Sequence, residues 1–254
     1  MLLYELTPAK KPVVKKKNPI NPGEQKTALQ VKKLYPVATT LIQSCGSFLS
    51  SINYNLHKFA VFRGLHHTTN GLFKIPCPVM RQPRDTPPEA HEAADNWFFQ
   101  NFGISYRSNA LFGTGSFNQA KEYGYVSAMF PIGDFNFCYS PIIDDLTGAL
   151  EDPAGYADDY SDPHDPDYEM DGDDYLAMVG DHVWDLMPGL KYQHNTGRAG
   201  LQKGILSRHE IMFNNKQGAY MFQLTKTTGL AGSSSPMLEL LQQAIEDVKS
   251  GKTK

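Results

Sequence analysis

Three separated stretches carry the residues best suited to chemistry. The first ends the β-rich run from Lys58 with Arg63-Gly64. A guanidinium is a planar fork that grips phosphate oxygens in pairs, and a residue without a Cβ lets backbone approach a ligand closely. The second runs from Asn109 into Gly113-Thr114-Gly115-Ser116 and Phe117. On an extended strand Thr114 and Ser116 point to the same side. The third, Arg208-His209-Glu210-Ile211-Met212-Phe213, sets a carboxylate on an apolar strand. Ile211 and Phe213 anchor it, and a fixed carboxylate stabilises positive charge that develops in a reaction. Taken singly, each stretch has a plain alternative: a surface ion pair for Arg63, a turn at Thr114, an exposed strand acid at Glu210.

Other chemistries lack their residues. Gly113-Thr114-Gly115-Ser116 is too short for a phosphate loop, and no GxxxxGK[ST], HExxH or GxSxG occurs, which argues against the common nucleoside triphosphatases, zinc proteases and serine hydrolases. His66 and His67 are adjacent, so on a strand they face opposite ways and do not chelate together. His164, His182, His194 and His209 lack ligand spacing. Asp167, Glu169, Asp171 and Gly172 resemble part of a calcium loop, but Met178 stands where the bidentate carboxylate belongs.

In their order and strand contexts, the three stretches resemble the ADP-ribosyltransferase superfamily of the Arg–Ser–Glu type. In that family an Arg-Gly closes an early strand. A Ser-Thr-Ser strand then precedes a short helix bearing Ala, here Ala120, and a late apolar strand carries the Glu. Tyr123-Gly124 and Met129-Phe-Pro-Ile-Gly133 look like the strand that follows the helix. The resemblance spans about Phe59 to Leu224. Two positions depart from it. Thr114-Gly115-Ser116 replaces Ser-Thr-Ser, and Arg208 stands two before the glutamate, where the family often has the Glu or Gln that helps select the acceptor.

The resemblance implies transfer of ADP-ribose from NAD to a macromolecular acceptor, protein or nucleic acid, with release of nicotinamide. It makes Glu210, Thr114 and Ser116 catalytic. Glu210 would lie beneath the ribose as an oxocarbenium-like centre forms, as in glycoside cleavage, and would hold the 2′-hydroxyl. Thr114 would hydrogen-bond and orient Glu210, and Ser116 would support the strand behind the dinucleotide. Arg63, Gly64 and Leu65 would bind NAD, with Arg63 on the pyrophosphate or adjoining ribose. Phe117 or Tyr123 would stack on nicotinamide. No metal is required. The implied setting is a bacterial virus acting on host proteins, or an intracellular toxin, with no membrane partner. The same scaffold also serves an NAD glycohydrolase, or a catalytically silent binding or virion-associated protein.

Positioning these residues requires several elements. Val37, Leu41, Ile42, Cys45, Phe48, Leu49 and Ile52 recur at helical spacing after Pro36. Thr86-Pro87-Pro88-Glu89 reads as a capping box opening a helix that Gly103 ends. A last helix starts at Ser235-Pro236, with Met237, Leu240, Leu241, Ala244, Ile245 and Val248 as its stripe. Strands are expected at 58–63 and 109–112, and 125–139 reads as one bent strand or two, with Pro131-Ile-Gly-Asp134 as the turn. His209–Phe213 and Ala219–Thr225 read as a hairpin. This order favours α+β. The resemblance sharpens it to two small packed sheets around an NAD cleft, with N-terminal helices and a C-terminal helix.

The chain has 254 residues and a net charge of −3. That length suits one large domain, read as 36–254, with a core that needs no staples. Three cysteines without a CxxC pair fit a reducing compartment. The start lacks the apolar stretch of a secretory signal, and no run reaches membrane-spanning quality, so a cytoplasmic location is expected. Charge is segregated. Eight lysines fall in the first 33 residues, and residues 1–35 read as a loose basic arm, either a solvated tail or an attraction to nucleic acid. No Lys or Arg occurs between Lys121 and Lys191, and 13 acids lie between Asp144 and Asp174. That segment, about 144–174, reads as an acidic surface insert.

Overall fold

The repeat from Val37 to Ile52 is carried by two helices, because the backbone at Cys45 leaves helical geometry (φ −117°, ψ 25°). The apolar spacing survives the break, and Leu41, Cys45, Phe48, Leu49 and Ile52 are all fully buried. This computed structural model describes residues 22–67, 71–83, 86–150, 172–224 and 235–252. The start of the basic arm, most of the acidic insert and the calcium-like positions 167–171 lie outside the described residues.

In chain order the helices are α1 (Pro22–Lys33), α2 (Tyr35–Ser44), α3 (Gly46–Ser51), α4 (Leu56–Phe59), α5 (Pro88–Phe102), α6 (Tyr106–Asn109), α7 (Phe117–Glu122), α8 (Leu146–Leu150), α9 (Gly172–Gly189), α10 (Gly197–Ser207) and α11 (Pro236–Lys249). The strands are β1 (Phe62–Leu65), β2 (Leu72–Ile75), β3 (Leu111–Thr114), β4 (Tyr125–Pro131), β5 (Asn136–Tyr139), β6 (Gln193–His194), β7 (Glu210–Asn214) and β8 (Ala219–Gln223). The class is α+β, as expected. From Pro22 onward the basic arm is helical, and it packs against α11 with Val31 buried.

The expected pair of sheets is instead one eight-stranded sheet, ordered β2-β8-β4-β1-β3-β7-β5-β6, with every pairing antiparallel. The expected hairpin of β7 and β8 does not form, because β4, β1 and β3 lie between them. Yet only residues 215–218 join the two strands. Four flat inter-strand steps need about 19 Å, more than five residues reach at about 3.3–3.6 Å each. The sheet must therefore curl. Beyond β2, Cys77 Sγ lies 3.2 Å from the carbonyl oxygen of Asn109, the last residue of α6 just before β3, which closes the curl on that side.

The central strands divide two apolar layers by simple alternation. Leu111, Phe137, Tyr139, Ile211 and Phe213 join the layer of α2, α3 and α11; Ala110, Cys138 and Met212 join the layer of α5 and α9. Several local expectations shift. Phe59 lies in α4, so the first strand starts only at Phe62. Strands β4 and β5 are distinct and do not pair. The capping box at Thr86 does not form, because Pro87 is the N-cap of α5 and Thr86 Oγ1 accepts from Arg107 instead. Gly103 ends α5 in left-handed conformation (φ 74°), and α11 begins at Pro236.

Candidate functional site

The three stretches meet on neighbouring strands. Phe62 on β1 pairs with Thr114 on β3, and Thr114 pairs with Glu210 on β7. Arg63 follows Phe62, and its Nη1 donates to Phe112 O at 2.6 Å. Its Nε is shielded from solvent and has no partner. Burial first and then Arg81 lower the Arg63 pKa, to about 10, with Glu210 opposing the shift. Charges on β1, on β7 and in the segment after β2 thus share one neighbourhood.

Glu210 opens β7 on the face of Met212, toward the α5 and α9 layer. Its amide donates to Asp144 O at 2.7 Å. The side chain is 18% exposed, and Oε1 is shielded and accepts no hydrogen bond. Among the described residues its closest cation is Arg107 Nη1, 3.6 Å away. Burial pushes the Glu210 carboxyl above the ordinary carboxylate range, and Asp145 adds to that. Arg107, Arg81 and the Leu146 amide pull the other way without overcoming it.

The other expected site residues serve the scaffold in this structure. Thr114 does not touch the Glu210 carboxylate, because its Oγ1 lies 2.7 Å from Arg208 O and 2.6 Å from Gln119 Oε1. It also accepts from the Ser116 amide. Ser116 is the N-cap of α7, its Oγ accepting from the Gln119 amide at 3.2 Å. Phe117 packs edge-on against Phe62 with centroids 5.5 Å apart, which takes its ring into the core instead of offering a shelf. A Cβ on Gly64 would collide with Ala120 O and Tyr123, so the glycine is required by the seat of α7 on β1. Leu65 pairs with Tyr125 and packs half-buried on the core. Tyr123 is 53% exposed and hydrogen-bonds Asp145; burial first, then the Asp145 and Glu210 charges, raise its pKa. Of the two rings expected to stack, Tyr123 is the exposed one beside Glu210.

Three residues at the site escaped sequence reasoning: Arg81, Arg107 and Asp145. Arg81 and Arg107 both stand over the Phe112 ring, at 4.3 and 5.2 Å from its centroid. The one usable signal is the cation gap between Lys121 and Lys191. Acids just after β5 have no neighbouring cations in sequence, so their counter-charges must come from other elements.

Among the described residues no group of three or more His, Cys, Asp or Glu could hold a metal ion, and no helix is long and apolar enough to cross a membrane. Comparison with protein families, curated proteins and solved structures finds no match to this chain.

Proposed function

We propose that the protein is an NAD-dependent ADP-ribosyltransferase that moves ADP-ribose to a macromolecular acceptor and releases nicotinamide. One observation carries the reading. Arg63, Thr114 and Glu210 lie on the adjacent strands β1, β3 and β7, and the Glu210 side chain is sheltered yet still 18% exposed. In the reaction the C–N bond between nicotinamide and ribose breaks, and its electron pair leaves with nicotinamide. Positive charge grows on the ribose C1′, where the Glu210 carboxylate stabilises it. The acceptor nucleophile then bonds to C1′ and loses its proton. Arg63 and Arg81 supply the positive charge that a pyrophosphate needs, and Tyr123 is the exposed ring for nicotinamide.

Water as acceptor is the second reading, NAD glycohydrolysis. It is favoured by Arg208, which caps α10 in left-handed conformation (φ 66°) and is exposed. That position therefore presents no acidic or amide group toward an acceptor. The test is incubation with NAD labelled on its adenylate half, with and without bacterial lysate, comparing wild type with Glu210→Gln. Nicotinamide release by wild type and its loss in the folded variant support the chemistry; equal release by both removes Glu210 from it. Label on a macromolecule indicates a transferase, and free ADP-ribose alone indicates a glycohydrolase.

A further inference from the structure

We infer that Arg107 is a positioning residue, a buried counter-charge that holds Glu210 ionised and aimed for bond cleavage. The inference rests on the proposed reaction and adds a residue that none of the three motifs contains.

The arrangement around Arg107 is built. The residue is 2% exposed. Asp95, itself buried on α5, accepts from the Arg107 amide at 2.6 Å and from the Ser108 amide at 3.0 Å, which fixes the short helix α6. The guanidinium lies over Phe112, and its Nη2 reaches Thr86 Oγ1 at 3.3 Å and Thr147 Oγ1 at 3.4 Å. This leaves Nη1 directed at Glu210 Oε1, 3.6 Å away. Two hydroxyls and a ring thus orient one arm of the fork toward the carboxylate. A buried cation is expensive without a partner, so a guanidinium sealed this deeply favours the charged carboxylate and opposes the effect of burial on it.

The 3.6 Å separation also matters. It is long for a hydrogen bond, so Oε1, itself closed to solvent, feels the charge without a fixed bond, and the exposed part of the side chain lies on its other atoms. Other groups act on the same carboxyl. Arg63 comes from β1, Arg81 from the segment after β2, Tyr123 from the end of α7, Cys138 from β5, Asp145 from the turn into α8, and Tyr192 from the segment before β6. His209 and Asp144 form a separate pair at 3.3 Å beside them. Among these, Arg107 is the largest force favouring the charged form.

The test has two independent readouts on Arg107→Gln, Arg107→Lys and wild type, each first checked for folding by circular dichroism. One is the pH titration of the Glu210 side-chain carboxyl by carbon NMR. The other is the acid limb of nicotinamide release. An opposite charge at this range moves a carboxyl by about 1–3 pH units. Glu210 should therefore titrate about 1–3 pH units higher in Arg107→Gln, with the acid limb moving equally, and Arg107→Lys should restore most of both. An unmoved titration in folded Arg107→Gln overturns the inference whether or not NAD is turned over. A moved titration in a protein whose wild type releases no nicotinamide keeps the ion pair and overturns the reaction. If Arg107→Gln does not fold, Thr147→Val frees Nη2 without removing the charge. A weaker upward shift of the same limb supports the inference, and an unchanged limb overturns it.

Discussion

Thr114 Oγ1 lies 2.7 Å from the carbonyl oxygen of Arg208, which ties the end of α10 to β3 two residues before Glu210. The hydroxyl thus sets where β7 begins and acts on Glu210 through the backbone. It is also the acceptor for the Ser116 amide at 3.0 Å, so it organises the turn into α7. Thr114→Ser keeps the hydroxyl and should retain most of the nicotinamide release. Thr114→Val leaves buried polar groups unpaired, which costs about 1–3 kcal/mol, and should release nicotinamide more slowly. Equal rates and equal urea midpoints for the two variants would show that the hydroxyl sets neither the turn nor the start of β7.

Glu210 should make stability depend on pH in an uncommon direction. Burial raises its pKa in the folded state. Folding therefore favours the protonated carboxyl. That contribution is complete below the unfolded-state value and is lost as pH rises through the higher folded-state value. Glu210→Gln is neutral at every pH and avoids the loss. At acid pH, where Glu210 is protonated, variant and wild type should melt together. Toward pH 7 the variant should become the more stable, by about 1.4 kcal/mol for each tenfold change in the ionisation constant. Melting curves at a series of pH values measure this. A gap that stays constant with pH would mean that the folded carboxyl titrates like the unfolded one.

Gly64 links the site to the scaffold. A Cβ there would lie 2.7 Å from Tyr123 Cβ and would meet Ala120 O still closer, so Gly64→Ala must displace α7 from β1. Overpacking of this kind costs about 1–3 kcal/mol. The displacement also moves Tyr123, and NAD binding by calorimetry should weaken together with the melting temperature. Wild-type stability in Gly64→Ala would mean that α7 is free to shift on β1.

Local patterns made α11, the end of α5 at Gly103 and the three site strands legible, because periodicity and capping are local properties. Sheet order was not. β7 and β8 each read as strands, and residues 215–218 between them suit a hairpin. What separates them is the fit of β4, β1 and β3 between two apolar layers, which no short window contains. The roles at the site divide in the same way. Residue type and strand context marked Arg63 and Glu210. Phe117 fell to the core because Phe62 lies directly across from it. Arg107 sits in a polar stretch, Ser105-Tyr-Arg-Ser-Asn109, with no local sign of its burial. Only the pairing of β3 with β7 brings it to the carboxylate.

His91 gives the same neighbourhood an acid sensitivity of opposite sign. It is buried on α5, with Nε2 3.1 Å from Ser108 Oγ and 3.9 Å from Asp95. Burial lowers its pKa; Arg107 and Arg81 add to this, and Asp95 opposes it. The folded protein therefore holds the neutral ring. A base with a depressed folded value contributes stability above its unfolded pKa, about 6.5, and loses it as pH falls through the folded value. Replacement by Gln removes the ionisation and can keep a hydrogen bond to Ser108. Urea midpoints should place His91→Gln level with or slightly below wild type near pH 8. As pH falls from about 6.5 toward the lower folded value, wild type should lose stability faster than the variant, so the variant gains on it in that window. Curves that run parallel across it would mean that His91 protonates as readily in the folded protein as in the unfolded chain, against the charge pattern drawn around Glu210.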